Sequence, residues 1–301
     1  MSIEKRIEEL KKEKNAVILV HNYEPPEIQD IADYLGDSLG LSIKASETDA
    51  DVIVFCGVRF MAETAKILSP EKTVLLPNID AGCPMADMIT ASELKDLKAK
   101  HPEAKVLCYV NTSAEVKANS DLCCTSANSV KLTKEAFKED EEVIFVPDKN
   151  LARYTKRETG HDFIIWDGYC PIHAAMTEVD VARAREAYPD ADLIVHPECS
   201  PAVIDLADGV YSTSGMSKYV RESNKNRFII GTEVGMLYRL REDNPGKEFY
   251  ALSDSAICQD MKKITLEMLL SSLEDGLGSI ELDKDIIEQA RGSIDKMVQF
   301  R

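Results

Sequence analysis

The sequence predicts an α/β protein built from three similar units that pack around a pseudo-threefold axis. Short apolar strands alternate with amphipathic helical segments along the whole chain, which is typical of α/β layers. Most predicted strands are rich in β-branched residues without polar alternation, as expected of parallel strands covered on both faces. A set of chemically matched residues also recurs three times, which indicates an internal repeat.

The apolar runs predict strands at residues 17–20, 52–55, 73–76, 106–110, 143–146, 163–166, 193–195, 228–230 and 248–252. Between them, helical periodicity predicts helices at 28–35, 62–68, 91–100, 179–187 and 236–241. Prolines close to the ends of these segments mark the boundaries, and they are Pro70, Pro102, Pro147, Pro189 and Pro245.

Four positions match in all three repeats. A polar residue closes the first strand of each third, and an aspartate follows 12, 10 and 12 residues later. A hydroxyl comes five residues after each aspartate, and a cysteine 45, 44 and 45 residues after that. The three sets are His21, Asp33, Ser38, Cys83; Asn111, Asp121, Ser126, Cys170; and His196, Asp208, Thr213, Cys258.

We therefore divide the chain into three domains. The first covers 1–102 with an N-terminal helix, the second 103–190, and the third 191–301 with a C-terminal helical segment. An old duplication whose matched residues serve only as caps and turns is the alternative. Since functional groups of α/β sheets gather beyond the carboxyl ends of the strands, we expect one central site with a contribution from each repeat.

Three cysteines that meet at such an axis predict a metal centre. Thiolates bind zinc, copper(I) and iron–sulfur clusters, and a structural zinc site normally has four protein ligands. Three cysteines on a [4Fe-4S] cluster leave one iron free to act as a Lewis acid on water or substrate. We predict one such cluster on Cys83, Cys170 and Cys258, and dehydration rather than electron transfer. Three buried thiols in equivalent core positions are the alternative.

Composition limits the compartment and the partners. The 301 residues carry 36 basic and 53 acidic side chains, a net charge of −17, which argues against nucleic acid or an anionic membrane as partner. No apolar run approaches the roughly 20 residues that span a bilayer, and the charged start lacks an apolar segment behind it. We expect a cytoplasmic protein, whose eight cysteines form neither disulfides nor Cys-x-x-Cys pairs.

Nine motifs resemble those of the quinolinate synthase family and run from end to end of the chain. The first four are His21-Asn22-Tyr23 with Gln29-Asp30-Ile31-Ala32-Asp33 and Gly36-Asp37-Ser38; Gly57-Val58 with Phe60-Met61-Ala62-Glu63; Cys83-Pro84-Met85-Ala86; and Tyr109-Val110-Asn111-Thr112-Ser113. The others are Cys124-Thr125-Ser126-Ala127-Asn128; Gly168-Tyr169-Cys170-Pro171-Ile172-His173; His196-Pro197-Glu198-Cys199; Ser212-Thr213; and Gly231-Thr232-Glu233-Val234-Gly235-Met236.

The resemblance implies three Rossmann-like, three-layer αβα domains and one [4Fe-4S] cluster on the same three cysteines. It also implies an enzyme of NAD biosynthesis that condenses iminoaspartate with dihydroxyacetone phosphate. The products are quinolinate, phosphate and two waters. An aspartate oxidase or dehydrogenase is the expected source of iminoaspartate.

The candidate substrate-binding residues are mostly hydrogen-bond donors suited to dianions. Ser38, Ser126 and Thr213 lie at predicted turns into helices, where a hydroxyl and free backbone N–H groups bind carboxylate or phosphate. Plain N-capping is the alternative for each. The remaining candidates are His21, Tyr109, Val110, Asn111, His196, Pro197, Glu198 and Ser212.

Glu198, Tyr23 and His173 are the candidates for moving protons. The implied tautomerisation, imine formation, dehydration and ring closure need acid–base groups within hydrogen-bond reach. Glu198 and Tyr23 follow matched strand ends, and His173 lies three residues after Cys170. The alternatives are a solvated loop carboxylate for Glu198 and a residue that only positions the cluster loop for His173.

Two other classes of protein fit part of the pattern. A hydro-lyase acting on a hydroxy acid would use the three cysteines, but it would not require the His-Asn-Tyr and His-Pro-Glu motifs. An iron–sulfur or zinc sensor that binds a partner should carry a basic patch or a recognition element, and the sequence shows neither.

Overall fold

The computed structural model describes residues 2–300 and contains three parallel four-stranded sheets flanked by helices. The first repeat consists of α1 (Ile3–Glu13), β1 (Ala16–His21), α2 (Pro26–Gln29), β2 (Tyr34–Gly36), α3 (Ser38–Glu47), β3 (Val52–Cys56), α4 (Arg59–Leu68) and β4 (Thr73–Leu75). The second consists of α5 (Ala91–Lys100), β5 (Lys105–Tyr109), α6 (Ala114–Ala118), β6 (Leu122–Cys124), α7 (Ser129–Ala136), β7 (Val143–Val146), α8 (Lys149–Thr159) and β8 (Phe163–Ile165).

A short helix, α9 (Pro171–Ala174), leads to the third repeat. That repeat consists of α10 (Glu178–Ala187), β9 (Asp192–Val195), α11 (Pro201–Asp205), β10 (Gly209–Val210), α12 (Thr213–Glu222), β11 (Arg227–Gly231), α13 (Met236–Asp243) and β12 (Glu248–Ala251). Two further helices follow, α14 (Leu266–Asp275) and α15 (Lys284–Gln299).

The three sheets share one topology. Their strand orders are β2-β1-β3-β4, β6-β5-β7-β8 and β10-β9-β11-β12, and all paired strands are parallel. The first and third strands of each repeat lie side by side, so the connections diverge there and open a crevice at the carboxyl ends. The predicted α/β class and threefold repeat are confirmed. The domain boundaries at 102 and 190 stay predictions. Each repeat begins with a helix before its first strand, and the helices that open the second and third repeats, α5 and α10, end before residues 102 and 190.

All nine predicted strands are present, with ends that differ by at most one residue. The helix predicted at 28–35 is wrong: α2 ends at Gln29, and β2 occupies Tyr34–Gly36. The sequence pattern did not predict β6 and β10 either. These strands have only two or three residues, which is too short for a period-two pattern to stand out.

The triplicated aspartates hold these short edge strands in place. In each repeat the aspartate accepts a hydrogen bond from a backbone N–H of the first strand and donates its own N–H to the carbonyl of the same residue. The pairs are Asp33 with Ile18 (2.8 and 3.0 Å), Asp121 with Val106 (2.8 and 3.1 Å) and Asp208 with Leu193 (2.7 and 2.8 Å). The matched aspartates are therefore structural, as the duplication alternative holds for this position.

The C-terminal helix α15 covers the junction of the first and second repeats by packing against α4, α6 and β6. Arg291 donates to the carbonyl of Ile67 at 3.1 Å, and Ser293 Oγ donates to that of Lys117 at 3.3 Å. None of the helices within residues 2–300 is long and apolar enough to cross a membrane.

Asp121 allows the role of the triplicated aspartates to be tested, because it forms no ion pair within residues 2–300, unlike Asp33 and Asp208. Asp121→Ala leaves the Val106 N–H without its acceptor, and we expect a loss of about 1–3 kcal/mol in the free energy of unfolding. Asp121→Asn retains an acceptor oxygen and should lose less than half as much. Denaturant unfolding of both variants measures this, and equal losses would contradict the hydrogen-bond role.

Candidate active site

A central cavity of about 80 Å³ lies where the carboxyl ends of the three sheets meet. Most predicted site residues line it, namely His21, Tyr23, Ser38, Cys83, Tyr109, Asn111, Ser126, Cys170, His173, His196, Glu198, Thr213 and Cys258. Val110 instead lies in the hydrophobic core, and Pro197 and Ser212 line a separate groove between the second and third repeats. Contact of these three with substrate stays a prediction.

Cys83, Cys170 and Cys258 occupy equivalent places. Each follows the outermost strand of its sheet and precedes a short helical turn, which is Ala86–Met88, α9 or Asp260–Lys262. All three are partly exposed, whereas the other cysteines, Cys56, Cys108, Cys123, Cys124 and Cys199, are buried in the core. Their partial exposure favours a ligand role over the alternative of three thiols buried in the core.

The chemistry of these thiols suits a metal centre. Burial raises the pKa of all three, that of Cys83 to about 12, so a bound metal would displace their protons. Cys170, His173 and Glu198 also bring their ligand atoms within 4.8 Å of one another. The donor set thus fits either a cluster on three cysteines or a single ion bound by this mixed group.

Buried carboxylates position the cysteine loops. Asp148 accepts from the Cys170 N–H at 3.0 Å, and Glu233 accepts from the Cys258 N–H at 3.1 Å. Asp148 and Glu233 each lie two residues beyond the third strand of their repeat. Neither residue was predicted from the sequence, although an acidic residue at the same place in two of the three repeats could have indicated them. The first repeat has Val58 there, and its cysteine loop is held from outside by Asp260, which accepts from the Gly82 N–H at 3.2 Å.

The matched hydroxyls are not N-caps. Asp37 caps α3 by accepting from the Gly40 N–H at 2.8 Å, and Ser212 caps α12 by accepting from the Gly215 N–H at 3.2 Å. Ser38 and Thr213 are the first helical residues, and Asn128 is the cap residue of α7 behind Ser126. The N-capping alternative is wrong, and all three hydroxyls face the cavity at or just before a helix start.

The two strand-end histidines are fixed as neutral donors. The backbone N–H two residues on donates to Nδ1 of each, from Tyr23 to His21 at 3.2 Å and from Glu198 to His196 at 3.4 Å. Because Nδ1 accepts, the proton of a neutral ring lies on Nε2. Burial lowers the pKa of both rings to about 3. Each therefore presents an uncharged Nε2–H donor, which in His196 lies 3.1 Å from Ser126 Oγ.

Glu198 is a buried carboxylate held by donors. Tyr109 OH donates to Oε1 at 2.5 Å, and His173 Nδ1 lies 2.7 Å from Oε2. Burial acts to raise the pKa of Glu198, but its close neighbours His173, His196 and Tyr109 outweigh burial and lower the pKa to about 2. The side chain is 3% exposed, so the alternative of a solvated loop carboxylate is wrong.

Thr232 joins Tyr23 to His173 and was missed by the sequence analysis. Its Oγ1 lies 2.5 Å from Tyr23 OH and 2.8 Å from His173 Nε2. His173 Nδ1 lies 2.7 Å from Glu198 Oε2 and 3.2 Å from Cys170 Sγ. When the proton of a neutral ring lies on Nδ1, Nε2 accepts from Thr232, which in turn accepts from Tyr23. One continuous chain of short polar contacts runs from Tyr23 through Thr232 and His173 to Glu198. Only its place in a motif distinguished Thr232 in the sequence.

The chain is an α/β protein of three similar repeats, and each repeat contributes one cysteine to a shared cavity. This arrangement is typical of a metal-binding site. The family model described as quinolinate synthetase A protein matches residues 5–299. The quinolinate synthase of Geobacter metallireducens is 54% identical over 297 residues, covering 99% of this chain and 97% of that protein. Those of Geotalea uraniireducens and Methanoregula boonei are each 52% identical over 296 residues, covering 98% of this chain and 97% of each protein. The chain therefore belongs to the quinolinate synthetase A family, a family of enzymes.

The neutral histidines predict a loss of stability in acid. Between pH 6.5 and 5 the unfolded chain binds protons at imidazoles that the native state keeps neutral, so stability falls as the pH falls. Each ring contributes about 2 kcal/mol over this interval, from about 1.4 kcal/mol per pH unit. His196→Asn should remove that part of the pH dependence of unfolding by denaturant. The same change at the partly exposed ring of His101, His101→Asn, is the control. If His196→Asn left the slope of unfolding free energy against pH unchanged, that would contradict a buried neutral ring.

Proposed function

We propose that this chain condenses iminoaspartate with dihydroxyacetone phosphate to give quinolinate, phosphate and two waters. Family membership and the similarity to quinolinate synthases along nearly the whole chain support quinolinate synthesis as the activity. The observation that carries the proposal is the convergence of the three cysteines, two neutral histidines and a buried proton-transfer chain on one cavity. An oxidase or dehydrogenase acting on aspartate would supply the imine, and the enzyme would work in the cytoplasm.

Cys83, Cys170 and Cys258 would hold one [4Fe-4S] cluster in this proposal. When bound, such a cluster supplies a Lewis-acidic iron without a cysteine ligand, which polarises a substrate hydroxyl or carbonyl. The partial exposure of these three thiols towards the cavity supports this assignment over any of the buried cysteines. His173 and Glu198 would then face the cluster as acid–base groups.

The cavity would bind its dianionic substrates through neutral donors. Ser38 and Thr213 stand at the amino ends of α3 and α12, where the helix dipoles favour anions. His21 and His196 contribute their Nε2–H groups. Asn111 Oδ1 is buried and has no hydrogen-bond partner within residues 2–300, so it is available to accept from a substrate N–H or hydroxyl.

Protons would move along the chain that joins Tyr23 to Glu198. Burial raises the pKa of Tyr23 well above its ordinary value, so its hydroxyl stays protonated, and it can take a proton from substrate as it passes its own to Thr232. His173 can receive a proton through Thr232, and the carboxylate of Glu198 stabilises the resulting imidazolium and fixes its orientation. Tyr109, which donates to the other oxygen of Glu198, holds the carboxylate in place.

The direct test of the activity is anaerobic turnover. Purified protein mixed with iminoaspartate and dihydroxyacetone phosphate should release quinolinate and phosphate in equal amounts. Release of phosphate without quinolinate, or dehydration of a simple hydroxy acid instead, would overturn the proposed reaction.

The cluster assignment predicts a division among the cysteines. Replacement of Cys83, Cys170 or Cys258 by serine should each remove most of the iron, because only these thiols face the cavity. Cys56→Ser and Cys199→Ser are matched controls from buried positions and should retain it. Iron and sulfide analysis of anaerobically purified protein measures this, and an essential role for a control cysteine would show that the ligands are misassigned.

The proton chain predicts losses in kcat. Glu198→Gln, Tyr23→Phe and Thr232→Val each break one link, and a general acid–base group is typically worth about 10²–10⁴ in rate. Thr232→Ser restores the hydroxyl and should recover most of the activity. All four variants should keep their iron. Near wild-type turnover in Thr232→Val would refute transfer through that residue.

Ser38→Ala and Thr213→Ala provide the contrasting case. Each removes a donor that binds substrate in the ground state and the transition state alike, so KM should rise while kcat changes little. A hydrogen bond to a charged group is worth about 1.5–3 kcal/mol, which corresponds to a rise of one to two orders of magnitude. Loss of kcat alone would contradict a binding role.

A further inference from the structure

A polar groove lies on the surface between the first and third repeats, and we call it the entry groove. Residues of β2 and its preceding turn form one side. Successive turns of α12 form the other, with Ser214, Ser217, Lys218 and Arg221 on one helix face. Arg239 and Asp243 of α13 complete that side.

The entry groove and the central cavity share a wall only one residue thick. At the end of β1, Asn22 lines the groove while its neighbours His21 and Tyr23 line the cavity. At the start of α12, Ser214 lines the groove and Thr213 the cavity. Asn22 Nδ2 donates to Thr213 Oγ1 at 2.9 Å and joins the two repeats across this wall. This hydrogen bond lies between the groove and the cavity, and Gln29 Nε2, which donates to the Gly235 carbonyl at 3.1 Å, joins the same two repeats beside it.

The charges in the groove suit an approaching anion. Arg239 pairs with Asp243 at 2.9 Å and Asp33 with Lys11 at 2.7 Å, while Asp30 accepts from Tyr238 OH. Lys218 and Arg221 are exposed and form no ion pair within residues 2–300. The net charge of −17 repels anions from most of the surface. Lys218 and Arg221, which lie next to the site, form a local exception.

The other two junctions between repeats fit an anion less well. Helix α15 covers the junction of the first and second repeats. The groove between the second and third repeats is lined by Glu158 as its only charged side chain among the described residues. No lysine or arginine of residues 2–300 lines the central cavity itself, so the site depends on groups outside it to attract an anion from solution.

We propose that dianionic substrates and product pass through the entry groove, that Lys218 and Arg221 steer them, and that the Asn22–Thr213 hydrogen bond is the latch of its inner wall. The proposal rests on the proposed function, because it takes the ligands to be dianions. It assigns Asn22, Lys218 and Arg221 roles in passage and none in the chemical step. Steering changes the rates of entry and exit together and leaves the equilibrium affinity nearly unchanged.

The test is stopped-flow mixing of anaerobic holoprotein with quinolinate, a dianion, at low ionic strength. In Lys218→Glu/Arg221→Glu we expect the association and dissociation rate constants both to fall about tenfold, with Kd within twofold of the wild type. At 1 M salt, where the Debye length is about 3 Å, the difference should vanish. Lys95→Glu/Lys100→Glu on the exposed face of α5 makes the same change of charge and should match the wild type.

Asn22→Ala tests the latch in the opposite direction. Loss of a hydrogen bond worth about 0.5–1.5 kcal/mol should raise both rate constants by roughly two- to tenfold. Unchanged rates in the Lys218/Arg221 variant, or an equal fall in the α5 control, would overturn the entry groove while leaving the proposed activity intact. Failure of the wild-type holoprotein to bind quinolinate would instead refute the proposed activity itself, and the entry proposal with it.

Discussion

Parallel pairing in three sheets is the constraint on which the rest of the structure depends. Because every strand of a parallel sheet ends at the same edge, each repeat brings its strand-end residue and its cysteine loop to one side. Three such edges facing one another create a cavity to which each repeat contributes equivalent groups. The triplicated aspartates secure this arrangement by attaching each short edge strand to the first strand of its repeat. The loops can then differ in sequence and still reach the same cavity.

In the proposed function, a strongly acidic protein binds anionic ligands through donors that stay neutral. Backbone N–H groups fix the tautomers of His21 and His196, and burial keeps both rings uncharged. Both oxygens of the Glu198 carboxylate lie close to a partner, Oε1 to Tyr109 and Oε2 to His173. Binding then relies on hydrogen bonds and helix dipoles, which favour an anion without the desolvation cost of a buried cation. The cationic groups Lys218 and Arg221 lie outside the cavity, where they can affect the approach of an anion.

Much of the fold and the site could be predicted from the sequence because the repeat compares the chain with itself. A residue that recurs at one place in three copies, such as Cys83 with its two counterparts, stands out without any relative. Groups present in one or two copies do not. Thr232 acts through contacts with Tyr23 and His173 that are distant in sequence, and the Cys83 loop depends on Asp260 from another repeat. The short strands were not predicted because a hydrogen-bonded aspartate, rather than a hydrophobic pattern, stabilises them.

The central claim is that three equivalent cysteines leave one metal position to the substrate, and Mössbauer spectroscopy tests it most directly. Spectra of anaerobic, ⁵⁷Fe-labelled protein would be recorded with and without quinolinate. The account predicts a [4Fe-4S] cluster in which one iron differs from the other three and changes its isomer shift or quadrupole splitting when quinolinate is added. Four irons that do not respond to quinolinate, or a single metal ion in place of a cluster, would contradict it.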